Sequence, residues 1–269
     1  MTLTQHFGFK FINIMICGMK EIIKYKMIIA HLNNIKKNLK NKGWSIINIK
    51  NLNKLENLTT DFIKQLKVNI LIKKEFQKYK INNIYDLREY AYKLDDSVVN
   101  SIRKTYLENF SFDSIKIYSD IIKSIFGKEI LLQKFPQIQL HIPKRSSTKT
   151  LPHSEIMAGH SPYTYNIWIP FHDIEDNSGI FVIDDILSIK LADIELSKKV
   201  KSREKLLDEY KYFPKLKFGE AIIFNSFVYH GSVYHASKNA RISIDIRIQK
   251  LNNPLFQKFN DFFSYVKIL

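Results

Sequence analysis

The sequence predicts a mainly β protein with N-terminal helices and a double-stranded β-helix (jelly-roll, cupin-like) core. Three observations carry this prediction. Apolar residues before Gly127 recur at helical spacing, the period shortens toward two from Ile130, and the later apolar runs are short and mostly bounded by Gly, Pro, Asn, Asp or Ser. Several short strands with polar turns favour a jelly-roll or barrel, because closure leaves few exposed edges.

Along the chain, Ile28, Leu32, Ile35 and Leu39 fall on one helical face, and Lys42-Gly43 marks the stop. Trp44 to Ile49 reads as a short strand, and Thr59-Thr60-Asp61 as the cap of a helix beginning near Phe62. Helical pattern then continues to about Phe126. Ile138, Leu140 and Ile142 alternate with Gln137, Gln139 and His141, which assigns the two sets to opposite faces of a strand. Further strands are expected at Tyr165 to Phe171, Ile180 to Ile183, Glu220 to Phe224, Val228 to Val233 and Ile242 to Ile248. The charged, helix-prone stretch Leu187 to Lys217 contains Lys198, Lys199, Lys201, Arg203 and Lys205. It reads as an insertion over the barrel mouth, either a lid or a solvated surface helix. The domain plan is an uncertain extension over residues 1–26 and one domain over 27–269. Within that domain, 27–129 is mostly helical support, 130–250 the jelly-roll core carrying the 187–217 insertion, and 251–269 a C-terminal helix.

At 269 residues and 45% hydrophobic, the chain can bury a sizeable core. Its single cysteine, Cys17, excludes a disulfide framework and a cysteine zinc site, and fits a reducing, cytoplasmic setting. The net charge of +16 raises the prospect of a polyanion partner. Lys, Asn and Ile crowd the whole sequence, however, so the lysines read as a solvated surface rather than a specific nucleic-acid site. What survives is a preference for an anionic or nucleotide-linked small molecule. The apolar run Phe11 to Met19 is too short for a membrane span, which needs about 20 apolar residues. Charges interrupt it too early for a signal peptide, and Met19 and Met27 are alternative starts.

The chemistry concentrates in His153-Ser154-Glu155, His230-Gly231-Ser232 and Arg241-Ile242-Ser243. Residues two apart on a strand share a face, so His153 and Glu155 can meet one ion, with His230 arriving from a different strand. Two imidazoles and a carboxylate hold a divalent metal such as Fe(II) on one triangular face and leave the other face open for a chelating acid and dioxygen. Downstream, the Arg241 guanidinium can grip the far carboxylate of 2-oxoglutarate through two parallel hydrogen bonds.

These motifs, with Trp168-Ile169-Pro170, resemble the pattern of phytanoyl-CoA dioxygenase-like iron(II)/2-oxoglutarate oxygenases. The stretch Ala158-Gly159-His160-Ser161-Pro162-Tyr163 is similar to a branch found with bacterial surface-carbohydrate gene clusters. The likeness runs from about Gln133 to Gln249 and is weaker around Gly43-Trp44. It implies His153, Glu155 and His230 as metal ligands and Arg241 as partner of 2-oxoglutarate, with Ser232, Trp168 and Ser243 helping to form that pocket. It further implies oxidation of a sugar, nucleotide-sugar or related metabolite of surface-glycan assembly. A departure is Glu155, where the commoner ligand is Asp; a carboxylate of either length favours hydroxylation or another oxidation over halogenation. A pocketed jelly-roll binding protein without turnover is the alternative.

Other assignments rest on the residues alone. Strand alternation turns Gln139 toward the barrel interior, facing the keto acid or substrate. Arg247 shares parity with Arg241 and Ser243, so it either meets an anionic group of the substrate or pairs with Asp245. His141, His160 and His172 are read as structural or surface histidines, while His235, close to His230, is a substrate contact.

Overall fold

The computed structural model describes residues 29–49, 51–109, 116–175, 178–197, 200–232, 238–256 and 260–268. The readings made for residues 1–26, and for His235, lie outside these residues.

A helix over 29–42 (α1) ends at Gly43, whose φ of +79° is left-handed. A Cβ there would lie 2.8 Å from the Asp185 and Val228 side chains, so the stop also permits close packing. Next come β1 (Trp44–Asn48), α2 (Leu52–Leu66), α3 (Ile70–Lys78), α4 (Ile84–Tyr90), α5 (Asp96–Asn109) and α6 (Ser119–Phe126). The expected helix start near Phe62 is corrected. Asn51 caps α2 by accepting from the Asn53 N–H, and the stripe Leu55, Leu58, Phe62, Ile63 and Leu66 carries the helix straight through Thr59. Thr59 donates its hydroxyl to the Glu56 carbonyl within the helix instead of capping one.

The remaining elements are β2 (Glu129–Gln133), β3 (Gln137–His141), β4 (Tyr165–Pro170), β5 (Ile180–Ile183), α7 (Asp185–Leu196), α8 (Val200–Tyr210), β6 (Glu220–Asn225), β7 (Tyr229–Ser232), β8 (Arg241–Lys250) and β9 (Phe263–Lys267). Seven strands form an antiparallel sheet in the order β1-β6-β4-β8-β2-β9, with β3 also on β8. A smaller sheet pairs β5 with β7 and is widened by the bridges His153–His230 and Val182–Tyr212. This is a mainly antiparallel, jelly-roll-like core supported by N-terminal helices.

Period-two alternation decides what each face of the large sheet meets. Ile242, Ile244, Ile246 and Ile248 of β8 join Ile167 and Ile169 of β4 against the helical residues Leu55, Phe62, Phe76 and Ile102. On the opposite face, Trp168, Ile222 and Phe224 meet Ile180 and Val182 of the small sheet. The alternate residues of β8, Arg241, Ser243, Asp245 and Arg247, share that interior face.

Two expectations about location are overturned. Among the described residues of 251–269 there is no C-terminal helix. Phe263–Lys267 is strand β9, paired with β2 (Ile130 opposite Val266), where it covers an edge that would otherwise offer unpaired backbone groups. The described part of the 187–217 insertion is helical as far as Tyr210, and none of its described residues lines the cavity between the sheets. Leu191 and Leu207 pack with Phe181, Ile183 and Tyr229 on the outer face of the small sheet, opposite the face that carries Val182 and His230. No helix among the described residues is long and apolar enough to cross a membrane.

His172 is structural. Its Nδ1–H donates to the Asp173 carbonyl (2.7 Å), and its Nε2 accepts the Ile242 N–H (3.1 Å). Burial, aided by Arg88, pushes its pKa down to about 3. Because the folded value lies below the unfolded one, protons favour the unfolded chain. Stability is fully present above about pH 6.5 and is lost as the pH falls toward 3, at about 1.4 kcal/mol per pH unit for one proton. Denaturant unfolding between pH 7 and 4 should show this loss, with a slope one proton smaller in His172→Gln.

Candidate active site

The two motif histidines meet as direct cross-strand partners. His153 N–H donates to the His230 carbonyl (2.9 Å) and His230 N–H to the His153 carbonyl (2.8 Å), which places both rings on one face, 4.4 Å apart. Gly231 permits this approach. A Cβ at that position would stand 2.9 Å from Pro152 Cα and 3.0 Å from Pro152 N, both backbone atoms. Gly231→Ala should therefore displace Pro152-His153 and weaken metal binding by about 10-fold or more, measurable by calorimetric titration.

Glu155 reaches the histidines by a route different from the one expected. Only His153 lies in a strand bridge, whereas Glu155 opens a turn over 155–159. Ile156 N–H to Ser226 carbonyl (3.0 Å) and His160 N–H to Glu155 carbonyl (3.0 Å) hold that turn, and Gly159 takes its positive φ of +84°. The longer side chain spans the gap. Glu155 Oε1 lies 3.7 Å from His153 Nε2 and 3.6 Å from His230 Nε2, and one ligand atom from each residue falls within 4.8 Å of the others.

The imidazoles are oriented for a cation. His153 Nδ1 meets the Leu151 carbonyl at 2.8 Å and His230 Nδ1 the Val228 carbonyl at 3.0 Å. A carbonyl only accepts, so each Nδ1 carries a proton and Nε2 is the ring atom turned toward Glu155; burial works to lower the His153 pKa, but hydrogen bonds to Glu155 and the Leu151 carbonyl leave it raised above its ordinary value. Burial, reinforced by His153, pushes His230 down to about 4, which keeps it neutral near pH 7.

Glu155 is fully buried. Burial raises its pKa, but Arg247, His153 and His230 together hold it well below the usual carboxylate range. Arg247 grips it with two parallel bonds, Nε to Oε2 and Nη2 to Oε1, both 2.8 Å. Asn166 Nδ2 donates to Oε1 at 2.8 Å, and His160 Nε2 stands 3.3 Å from Oε2. Arg247 also reaches Asp245 (3.4 Å) and the Gln133 side-chain oxygen (3.2 Å). The Asp245 pairing weighed from the sequence is thus present but secondary to the Glu155 fork.

Arg241 lies deeper, on the same face of β8. Its guanidinium donates to the Gly179 carbonyl (2.7 Å) and Ser232 Oγ (2.8 Å), and its Nε has no partner. No carboxylate pairs with it among the described residues, and burial alone lowers its pKa to about 9. It stands 5.4 Å from the Trp168 ring. Around it, Trp168 Nε1, Ser243 Oγ and Gln139 Oε1 are buried and unpartnered, with Gln139 the cross-strand partner of Ser243. A cavity of about 390 Å³ opens beside this cluster, its wall including His153, His230, Trp168, Gln139, Arg103 and Lys149.

Asn166, Gln133 and the contribution of His160 were not anticipated. Asn166 has the strand parity of Trp168, which is a usable signal; the other two approach from neighbouring segments and leave none in local spacing.

A scan against family models gives no match, nor does a sequence comparison with curated proteins. Solved structures do match in shape. EctD from S. alaskensis in its apo form superposes with a TM-score of 0.54 at 13% identity, covering 84% of this chain and 79% of that one. SnoN, the non-heme alpha ketoglutarate dependent epimerase of nogalamycin biosynthesis, gives 0.50 at 10% identity, covering 82% and 84%. EvdMO1 also gives 0.50, at 13% identity, covering 83% of this chain and 50% of its own. The likeness is one of fold.

Proposed function

We propose that the protein is an iron(II)- and 2-oxoglutarate-dependent dioxygenase. The observation that carries this reading is the fully buried Arg241 guanidinium, which has no anionic partner among the described residues and lies behind a His–Glu–His set. A bare buried cation costs several kcal/mol, roughly, unless an anion joins it. The unpartnered Arg241 Nε, Trp168 Nε1 and Ser243 Oγ can all donate, which suits the acceptor oxygens of a small dicarboxylic keto acid; Gln139 Oε1 accepts and is left for a donor group.

In this reading His153, Glu155 and His230 hold the iron, which when bound couples dioxygen activation to 2-oxoglutarate decarboxylation and substrate oxidation. The chain's own contribution is positional. Carbonyls of Leu151 and Val228 orient the imidazoles, Arg241 takes the distal carboxylate, and Ser232, Ser243, Trp168 and Gln139 surround it. Ile180, Phe224 and Leu107 in the cavity wall limit water. The substrate is a sugar, nucleotide-sugar or related metabolite of surface-glycan biosynthesis in the cytoplasm, and hydroxylation is the expected outcome. The motif resemblance supports the sugar class, and Arg103 and Lys149 in the same wall support an anionic group on it.

Anaerobic reconstitution with iron(II) and 2-oxoglutarate, followed by oxygen and candidate nucleotide sugars, should yield iron-dependent succinate and an oxidised product by mass spectrometry. Failure to form succinate would remove the reading. The Arg247 fork, which already neutralises Glu155, favours the second reading of a pocketed binding protein without turnover, and the same succinate assay separates the two.

A further inference from the structure

We infer that the substrate enters with a hydroxyl-bearing end first, Asp245 accepting a hydrogen bond from one of its hydroxyls, while its anionic group stays at a cationic rim formed by Arg103 and Lys149; this rests on the sugar-oxidising reading above. Asp245 is only 4% exposed, yet it lines the cavity together with His153 and His230. Its contacts among the described residues are long and shared. Asn166 Nδ2 lies 3.3 Å from Oδ1 and 3.5 Å from Oδ2, and Arg247 Nη2 lies 3.4 Å from Oδ2. Each of those donors stands closer to Glu155 Oε1, at 2.8 Å. A carboxylate can accept about four hydrogen bonds, so Asp245 keeps acceptor capacity that its neighbours do not fill. Burial pushes its pKa up to about 6 despite Arg247, and near pH 7 it is still mostly ionised and can only accept. The shared donors also place it. Asp245 is one nitrogen atom removed from Glu155, so a group that donates to it sits beside the His–Glu–His set.

A second acceptor adjoins it. Gln137 is the cross-strand partner of Asp245 and Gln139 that of Ser243, which puts Gln139 on the diagonal from Asp245, with its Oε1 buried and unpartnered. Two acceptors on one wall suit a ligand that brings two donors, as adjacent hydroxyls do. Toward solvent the polarity reverses. Lys149 is exposed and Arg103 of α5 half-buried, and neither pairs with a carboxylate among the described residues; Arg103 donates to the neutral Asn100 Oδ1 at 3.2 Å. The cavity therefore carries acceptors at its buried end and cations at its rim. A phosphate-bearing polyol matches that gradient in one orientation.

The test needs no turnover. Glycerol 3-phosphate, propyl phosphate, 3-aminopropyl phosphate and glycerol are each titrated calorimetrically, without oxygen, into protein loaded with cobalt(II) and 2-oxoglutarate. Glycerol 3-phosphate should bind about 10-fold or more tighter than propyl phosphate, the effect of one hydrogen bond to a charged group, and also tighter than glycerol. Asp245→Asn should cut the advantage over propyl phosphate to about threefold or less while leaving propyl phosphate affinity unchanged. Gln139→Leu, which keeps the Asp245 contacts, should lower the same advantage. Arg103→Ala should instead remove the advantage over glycerol and keep that over propyl phosphate. Thermal melts check that the variants fold, and the wild-type comparison depends on none of them. Equal affinity of wild type for glycerol 3-phosphate and propyl phosphate, undetectable binding of both included, overturns the inference. So does tightest binding of 3-aminopropyl phosphate, which makes the inner donor an amine. Either result leaves the iron reading intact, whereas failure of wild type to bind cobalt(II) and 2-oxoglutarate overturns the iron reading itself.

Discussion

Arg241→Met is expected to weaken 2-oxoglutarate binding to the metal-loaded protein by more than about 100-fold, since two charge-assisted hydrogen bonds contribute about 1.5–3 kcal/mol each. The same substitution should leave the ligand-free protein as stable as wild type, or more so. Arg241 is fully buried, and its partners there are neutral, Gly179 O and Ser232 Oγ. Methionine has comparable volume, and replacing a buried charge by a well-packed apolar group is often neutral or stabilising. Opposite signs for ligand affinity and stability would be hard to obtain from a purely structural arginine. Calorimetric titration of 2-oxoglutarate and thermal melts of the ligand-free protein measure the two effects. A marked drop in stability with unchanged ligand affinity would reassign Arg241 to the core.

His230→Ala should abolish coupled turnover and lower metal affinity by more than about 100-fold, beyond the 10- to 100-fold typical of losing an outer partner of a metal ligand. The effect is large because His230 supplies a neutral Nε2 aimed at Glu155 and also stands directly across from His153. The backbone bridge between the two strands needs no imidazole, so the fold should persist. Succinate formation and metal titration together check this. Unchanged turnover would sink the assignment.

Much of the fold was legible because strand alternation is a local property. The polar set Arg241, Ser243, Asp245 and Arg247 separates from Ile242, Ile244, Ile246 and Ile248 by parity alone, and the sheet buries the isoleucines against the helices. The helix stop at Gly43 was likewise local, set by a positive φ. The start of α2 was misplaced because Thr59-Thr60-Asp61 offers capping chemistry inside a stripe whose burial outweighs it. The C-terminal strand was misread because β9 owes its form to the free edge of β2, and a partner over 100 residues earlier leaves no periodic trace.

The candidate site divides the same way. Residue chemistry singled out the imidazoles and the carboxylate, whose ligand atoms meet within 4.8 Å of one another, and a downstream guanidinium on β8. Which guanidinium serves which carboxylate was not legible. Arg241 and Arg247 share one strand face, yet among the described residues Arg241 has no carboxylate partner while Arg247 is committed to Glu155, 92 residues earlier. Spacing along a chain specifies which way a side chain points. Only the packing of distant strands, and the turn that carries Glu155 to the histidines, settles what it finds there.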